Sequence, residues 1–306
     1  MLGMEQVYVR YGFRWLAAIL VGFLLAVFVG HGTSYAQGVT IEVNSYGDAK
    51  SNDGSCTLRE AVISANNDNS FNKPGECAPG NGDDTILLPP GTYTLTRSDN
   101  GSEDASTTGD LDVTSNVTIT AAGPGLVVID ASGINDRAFH IVSQATTLSN
   151  VTILGGTANG DGGGILVESG ATLTMVNATL TDNEASNGNG GGLFVHGTAA
   201  LTNTTISQNI AANGSGVAAD GNITLRNAIV TSDSCYGSIS SAGANLFHNA
   251  GGCPAGPLTL HDAAAPPTTQ IWLAVGITLV LALVIPPLVW LYRVFDGARE
   301  STDEPE

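Results

Sequence analysis

The sequence predicts an all-β chain: a single parallel β-helix, or solenoid of short stacked strands, with an N-terminal capping helix, a signal helix before it and a transmembrane helix after it. Three observations carry this. Leu148-Ser-Asn150-Val-Thr-Ile153, Met175-Val-Asn177-Ala-Thr-Leu180, Leu201-Thr-Asn203-Thr-Thr-Ile206 and Leu225-Arg-Asn227-Ala-Ile229 repeat one pattern, with Asn spacings of 27, 26 and 24. The apolar runs alternate or are short, bounded by Gly, Asn and Asp, and show no helical period. Two runs without charge flank the repeats at the chain ends.

The first element is the signal segment, residues 1–36. Arg10 and Arg14 precede the charge-free run Trp15 to Val29, and Ser34-Tyr35-Ala36 offers small residues at a cleavage site before Gln37. The exported segment, Gln37 to Gln270, carries six basic residues against 22 acidic ones, so this part alone is near -16. For the whole chain, 10 Lys+Arg against 28 Asp+Glu give -18, which excludes nucleic acid as a partner and disfavours polyanionic substrates such as pectate.

The capping helix comes next. In Cys56-Thr-Leu-Arg-Glu-Ala-Val-Ile-Ser-Ala-Asn66, Thr57 and Glu60 have capping-box spacing, and Leu58, Ala61, Val62 and Ala65 fall on one helical face. A solenoid needs such a piece, because its first coil otherwise exposes core and an unpaired strand edge.

The β-helix occupies residues 37–262. One turn of 24 to 28 residues with several short strands stacks on the next at about 4.8 Å. Asn150, Asn177, Asn203 and Asn227 are read as a structural ladder: Asn tolerates the left-handed backbone of a sharp corner, and stacked amides bond along the column. A second element, Asn159-Gly-Asp-Gly-Gly-Gly-Ile165, Asn187-Gly-Asn-Gly-Gly-Gly-Leu193 and Asn213-Gly-Ser-Gly-Val217, opens each following strand. Ser115-Asn-Val-Thr-Ile119 and Ser149-Asn-Val-Thr-Ile153 are the same five letters. The four cysteines all lie in the exported segment, and their grouping favours Cys56-Cys77 and Cys235-Cys253 among the three pairings open to them. Each closes a loop of about 20 residues, worth on the order of 3 kcal/mol in the chain-entropy model.

The last elements are a spacer, 263–270, containing Pro266-Pro267, and the transmembrane run 271–292. That run, Ile271 to Tyr292, is 22 residues without charge, edged by Trp272 and Trp290. Arg293 and Arg299 mark the tail 293–306 as cytoplasmic, which puts the chain in the cell membrane as a single-pass protein with the β-helix exported.

The run CTLREAVISAN resembles the CSLREA-type motif at the start of many secreted bacterial β-helix proteins. GDDTILLPPGTYTLT and GDLDVTSNVTITAAGPG match the usual course of those proteins after the motif, and ITLRNAIVTSDSCYGSISSAGANLFHNAGGC resembles the closing coil of the choice-of-anchor class. The resemblance covers about Val39 to Cys253. It implies a right-handed, pectin-lyase-like parallel β-helix and no defined activity. Thr57 stands where the motif has Ser, an exchange that keeps the capping hydroxyl.

Among candidate sites, Asp110 and Asp112 lie two apart and share one face of a strand, as glycosidase carboxylates or a calcium site would. Asp161 sits in a Gly-rich turn of calcium-binding character, but its equivalents are read as Asn189 and Ser215, so the charge does not repeat. The preferred reading is an acidic edge, with no catalytic residue, no cofactor and no metal; Asp110, Asp112 and Asp161 are what calcium would use. His140, His196 and His248 lack a second His at metal-site spacing, with His196 and His248 expected at coil surfaces.

Two functions are compatible with these features. The first is a non-catalytic, membrane-anchored, surface-displayed module with an adhesive, structural or interaction role toward an extracellular glycan or protein. The second is a polysaccharide-active enzyme, a lyase or glycoside hydrolase. The exported segment has no Trp and few cations, and sugar clefts use both, which favours the first.

Overall fold

A computed structural model describes residues 38–69, 76–98, 103–231, 233–248 and 250–254, together with Pro287. The signal segment, the spacer, the transmembrane run and the tail lie outside the described residues, Pro287 excepted. Among the described residues no helix is long and apolar enough to cross a membrane.

The described residues are mostly β, with one helix, α1 (Leu58–Asn66). Every strand pairing among them is parallel, and the strands stack in rows of curled sheet. Row A holds β4 (Leu111–Val113), β7 (Phe139–Ile141), β11 (Ile165–Val167), β15 (Leu193–Val195) and the start of β19 (Val217–Arg226). Row B holds β1 (Thr40–Glu42), β2 (Asp84–Leu88), β5 (Val117–Ala121), β8 (Ala145–Ser149), β12 (Thr172–Val176), β16 (Thr198–Thr202) and the end of β19. Because β19 pairs with β15 and then with β16, it joins the two rows, and β21 (Cys235–Ser241) runs beside it along both. Row C holds β3 (Gly91–Thr94), β6 (Val127–Asp130), β9 (Thr152–Leu154), β13 (Thr179–Thr181), β17 (Thr205–Ser207), β20 (Ile229–Thr231) and β22 (Leu246–His248). A short fourth row holds β10 (Thr157–Ala158), β14 (Glu184–Asn189) and β18 (Ile210–Asn213). This arrangement is compatible with a β-helix solenoid.

The register explains the repeat. Leu148, Met175, Leu201 and Leu225 are mutual partners in row B, and Ile153, Leu180, Ile206 and Val230 in row C. All eight are fully buried, so apolar positions on either side of each Asn are the inward residues of two adjoining rows; in the fourth repeat that residue is Val230, and Ile229 faces outward at 40% exposure. The Asn between them turns the corner: Asn150, Asn177, Asn203 and Asn227 have φ of 58°, 52°, 54° and 50°. Their side chains form the expected ladder, with Nδ2 of Asn177, Asn203 and Asn227 donating to Oδ1 of Asn150, Asn177 and Asn203 at 3.2, 3.0 and 3.2 Å. The matching pentapeptides, by contrast, occupy different rows: Val117–Ile119 enters row B, whereas Thr152–Leu154 is in row C. Identical letters here mark the approach to a strand, and any inward-alternating strand accepts them.

The cap is as the spacing predicts, with Thr57 accepting from the Glu60 N–H and Glu60 accepting from the Thr57 N–H. Leu58, Ala61, Val62 and Ala65 join the core, and α1 packs on β1, β2 and β4 at the start of the stack. The helix departs from the amphipathic reading: Glu60, Ile63 and Ser64 are buried as well, and so, fully, is Arg59. The Arg59 guanidinium forks onto Asp48 (2.6 and 3.2 Å) and donates to the carbonyls of Ser106, Gly109 and Asp110. Asp48 in turn accepts the N–H groups of Thr96 and Arg97. One charged pair thus ties the helix to two loops, with its polar atoms satisfied as burial requires. Cys56–Cys77 and Cys235–Cys253 are both paired, at Cα separations of 4.9 and 4.6 Å.

Candidate functional site

Row A builds the site. In β4, Leu111 and Val113 turn inward and are fully buried, so Asp112 points outward. Its strand partner is His140, succeeded along the row by Leu166, Phe194 and Ala218. The outward column therefore begins ionisable and becomes a small apolar cluster separate from the main core.

A strap, residues 103–109, lies over Asp112. Glu103 organises the strap by accepting the N–H groups of Ala105, Thr107 and Thr108. Ser106, in a left-handed turn at φ 54°, donates its N–H to Asp112 Oδ2 (2.8 Å) and its hydroxyl to the Asp112 carbonyl (2.9 Å). Arg59 holds the Ser106 carbonyl from below, which links the cap to the site. As a result Asp112 is fully buried and Asp110 is 4% exposed.

Each carboxylate has a basic partner. Asp110 Oδ2 meets Arg137 Nη1 at 2.9 Å, and Arg137 also lies 3.9 Å from Asp136 and donates to the Asp161 carbonyl. Asp112 Oδ1 meets His140 Nδ1 at 3.1 Å, and His140 Nε2 reaches Glu168 Oε1 at 3.3 Å. Asp104, on the strap, brings its Oδ1 to 3.7 Å from His140 Nδ1. Donor atoms of Asp104, Asp112 and His140 all lie within 4.8 Å of one another, so this trio could hold a metal ion.

Burial, then the charges of Asp112 and Asp136, push the Asp110 carboxyl up to about 7 against the pull of Arg137 and His140. Burial also raises Asp112, against the hydrogen bonds from His140 and Ser106. For His140, burial opposes the charged ring, but the hydrogen bonds to Asp112 and Glu168 and the charge of Asp110 outweigh it, leaving its pKa above the usual imidazole value. The ring lies between two carboxylates, with Asp112 at Nδ1 and Glu168 at Nε2.

The structure thus brings Asp110 and Asp112 together, whereas Asp161 meets Arg137 through its backbone carbonyl and turns its carboxylate to Asn189. Asp161 Oδ1 accepts both the N–H and the Nδ2 of Asn189, and Asn189 Oδ1 accepts Asn213 Nδ2. Its column is Asp161, Asn189 and Asn213, not Ser215, because β14 and β18 shift register between Ala185 and Asn189. His196 is partly exposed and pairs with Asp220 at 2.8 Å, one repeat away, and His248 is exposed.

His140 is the residue that sequence reasoning misses. A metal-site spacing looks for a second His, whereas the partner of His140 is an Asp one coil earlier; Asp112 and His140 are 28 apart, the local repeat length, and that spacing is the signal that could have found it. A buried ladder is missed as well. Asn183 accepts the Gly156 N–H (3.0 Å) and donates to Ile153 O and Asn209 Oδ1, while Asn209 donates its N–H and Nδ2 to the two oxygens of Asp233. Comparison with family models, with curated proteins and with solved structures finds no match to this chain.

Proposed function

We propose that the chain is a non-catalytic, membrane-anchored module displayed on the cell surface, a right-handed parallel β-helix of the CSLREA and choice-of-anchor kind with an adhesive, structural or interaction role. The observation that carries this reading is the burial of Asp110 and Asp112: the pair best suited to glycosidic chemistry lies under the 103–109 strap with its oxygens engaged by Arg137, His140 and Ser106. The outward residues of rows B and C support it too. They are dominated by short hydroxyl side chains such as Thr118, Thr147, Thr174, Thr152, Thr179 and Thr205, a regular surface suited to weak repeated contacts with an external glycan or protein. A cavity of about 290 Å³ at the start of row B, lined by Asp83, Asp84, Asn116 and Thr118 among others, contains no aromatic or basic side chain.

The second reading, a polysaccharide-active enzyme, is favoured by one observation. A carboxyl raised to about 7, as at Asp110, suits a general acid at neutral pH. Its 4% exposure and its bond to Arg137 oppose that role.

The test is a panel of neutral and acidic polysaccharides presented to the detergent-solubilised full chain, scored for binding and for products, with and without calcium. Binding without products supports the display module. Turnover that disappears in Asp110→Asn while the fold is retained replaces it with the enzyme.

A further inference from the structure

We propose that Asp104, Asp112 and His140 form a binding site for a zinc-class divalent cation, with Asp112 Oδ1, His140 Nδ1 and Asp104 Oδ1 as ligands and Glu168 as the residue that orients the imidazole. The proposal does not rest on the display reading and holds for either function.

The ligand geometry comes first. Ligands about 2.1 Å from a tetrahedral zinc ion are about 3.4 Å apart. The separations from His140 Nδ1, 3.1 Å to Asp112 and 3.7 Å to Asp104, bracket that value. Small movements of the 65%-exposed Asp104 side chain therefore complete the trio around one ion.

The supporting shell is the second observation and is independent of the ligands. A ligating histidine characteristically donates its other ring N–H to a carboxylate, and Glu168 Oε1 stands 3.3 Å from His140 Nε2, placed for that bond. Asp112 is held in the same way, its second oxygen taken by the Ser106 N–H while Oδ1 remains on the His140 side. Two of the three ligands are thus fixed by partners that do not compete for the ion. The third comes from the solvent side, which leaves a fourth position open to water.

Donor chemistry chooses the class of ion. Calcium takes six to eight oxygens and has no use for a central imidazole, and the Ser106 bond removes one oxygen of Asp112 from any bidentate contact. An imidazole with two carboxylates suits zinc, cobalt and their neighbours. Charge agrees: Asp104, Asp110, Asp112 and Glu168 surround His140, and the Arg137 guanidinium is committed to Asp110.

The test is calorimetric titration of the full chain, purified in detergent without a polyhistidine tag and stripped with chelator, using zinc chloride and then calcium chloride. One zinc per chain is expected, bound at least tenfold more tightly than calcium. Asp104→Asn and His140→Gln should each weaken zinc by tenfold or more, and Glu168→Gln by about tenfold. Asp220→Asn, which alters the separate His196–Asp220 pair, should leave the affinity unchanged. Asp104 is exposed, so its variant keeps the fold and decides the matter if His140→Gln does not fold. Absence of zinc uptake, uptake indifferent to Asp104→Asn, or calcium bound as tightly as zinc would overturn the proposal.

Discussion

Asn183→Ala is the substitution that best separates buried from exposed ladder chemistry. The Asn183 side chain is 1% exposed and serves three groups: it accepts the Gly156 N–H and donates to Ile153 O and Asn209 Oδ1. Asn209 Oδ1 keeps one partner in the variant, because the Asn183 backbone N–H also reaches it. The Gly156 N–H is left without a partner, which costs about 1–3 kcal/mol, while the Ile153 carbonyl keeps its place in the row C ladder and loses one further bond worth about 0.5–1.5 kcal/mol. The expected loss is about 2–4 kcal/mol. Asn177→Ala loses two amide bonds that water replaces, at roughly 0.5–1 kcal/mol together, and places Ala at φ 52°, which adds about 1 kcal/mol, for a total of about 1–2 kcal/mol. Urea unfolding of the detergent-solubilised chain, monitored by far-UV circular dichroism, reads both. The midpoint should fall further for Asn183→Ala, at an unchanged slope. A loss for Asn183→Ala no larger than that for Asn177→Ala would refute the reasoning, since burial would then not distinguish the columns.

Three further outcomes are expected. Asp233→Asn should raise the melting temperature at neutral pH, because burial lifts the Asp233 pKa and its ionised form is disfavoured in the folded chain. The native state therefore binds the proton more tightly than the unfolded one, so wild type gains stability as the pH falls through the folded pKa. The advantage of Asn should then shrink and vanish toward pH of about 3.8, a trend that melting curves at stepped pH will check. Asn can take the same place geometrically, because Asn209 Oδ1 alone accepts both the N–H and the Nδ2 of Asn183. Arg59→Ala should cost about 3–5 kcal/mol in the same urea assay, since it removes the counter-charge of the buried Asp48 carboxylate and the donor to the Ser106, Gly109 and Asp110 carbonyls. Cys235→Ser with Cys253→Ser opens the closing loop, with an expected loss of about 2–4 kcal/mol, whereas peptide mapping of the wild type should find Cys56 joined to Cys77 and Cys235 to Cys253.

Whatever repeats in one dimension was legible in the sequence. The corner Asn column, its flanking apolar residues and the capping box are each set by local spacing, and each is in place except Ile229, whose inward position Val230 takes. Burial of polar groups was not legible. Nothing local marks Asn183, Asn209 or Arg59 as buried, because in each case only the neighbouring segment shows whether water is excluded. The site was half legible. Asp110 and Asp112 stand out as alternating acids in one strand, but His140, Arg137 and the strap meet them only through register, which depends on coil lengths that vary from 24 to 28. The register shift that moves the Asp161 column from Ser215 to Asn213 has the same origin.

That stacked parallel register is the central claim, since it places Asp112 beside His140 and every ladder in its column. It is tested most directly by paired cysteines on the outward side of row B, where Thr174 of β12 faces Ala200 of β16. Neighbouring strands about 4.8 Å apart lie within the Cα range a disulfide accepts, whereas a residue two further along the partner strand lies beyond it. Under mild oxidation, Thr174→Cys with Ala200→Cys should give a new cross-link on peptide mapping, and Thr174→Cys with Thr202→Cys should give none. A cross-link in the second pair and not in the first would contradict the register and the site built on it.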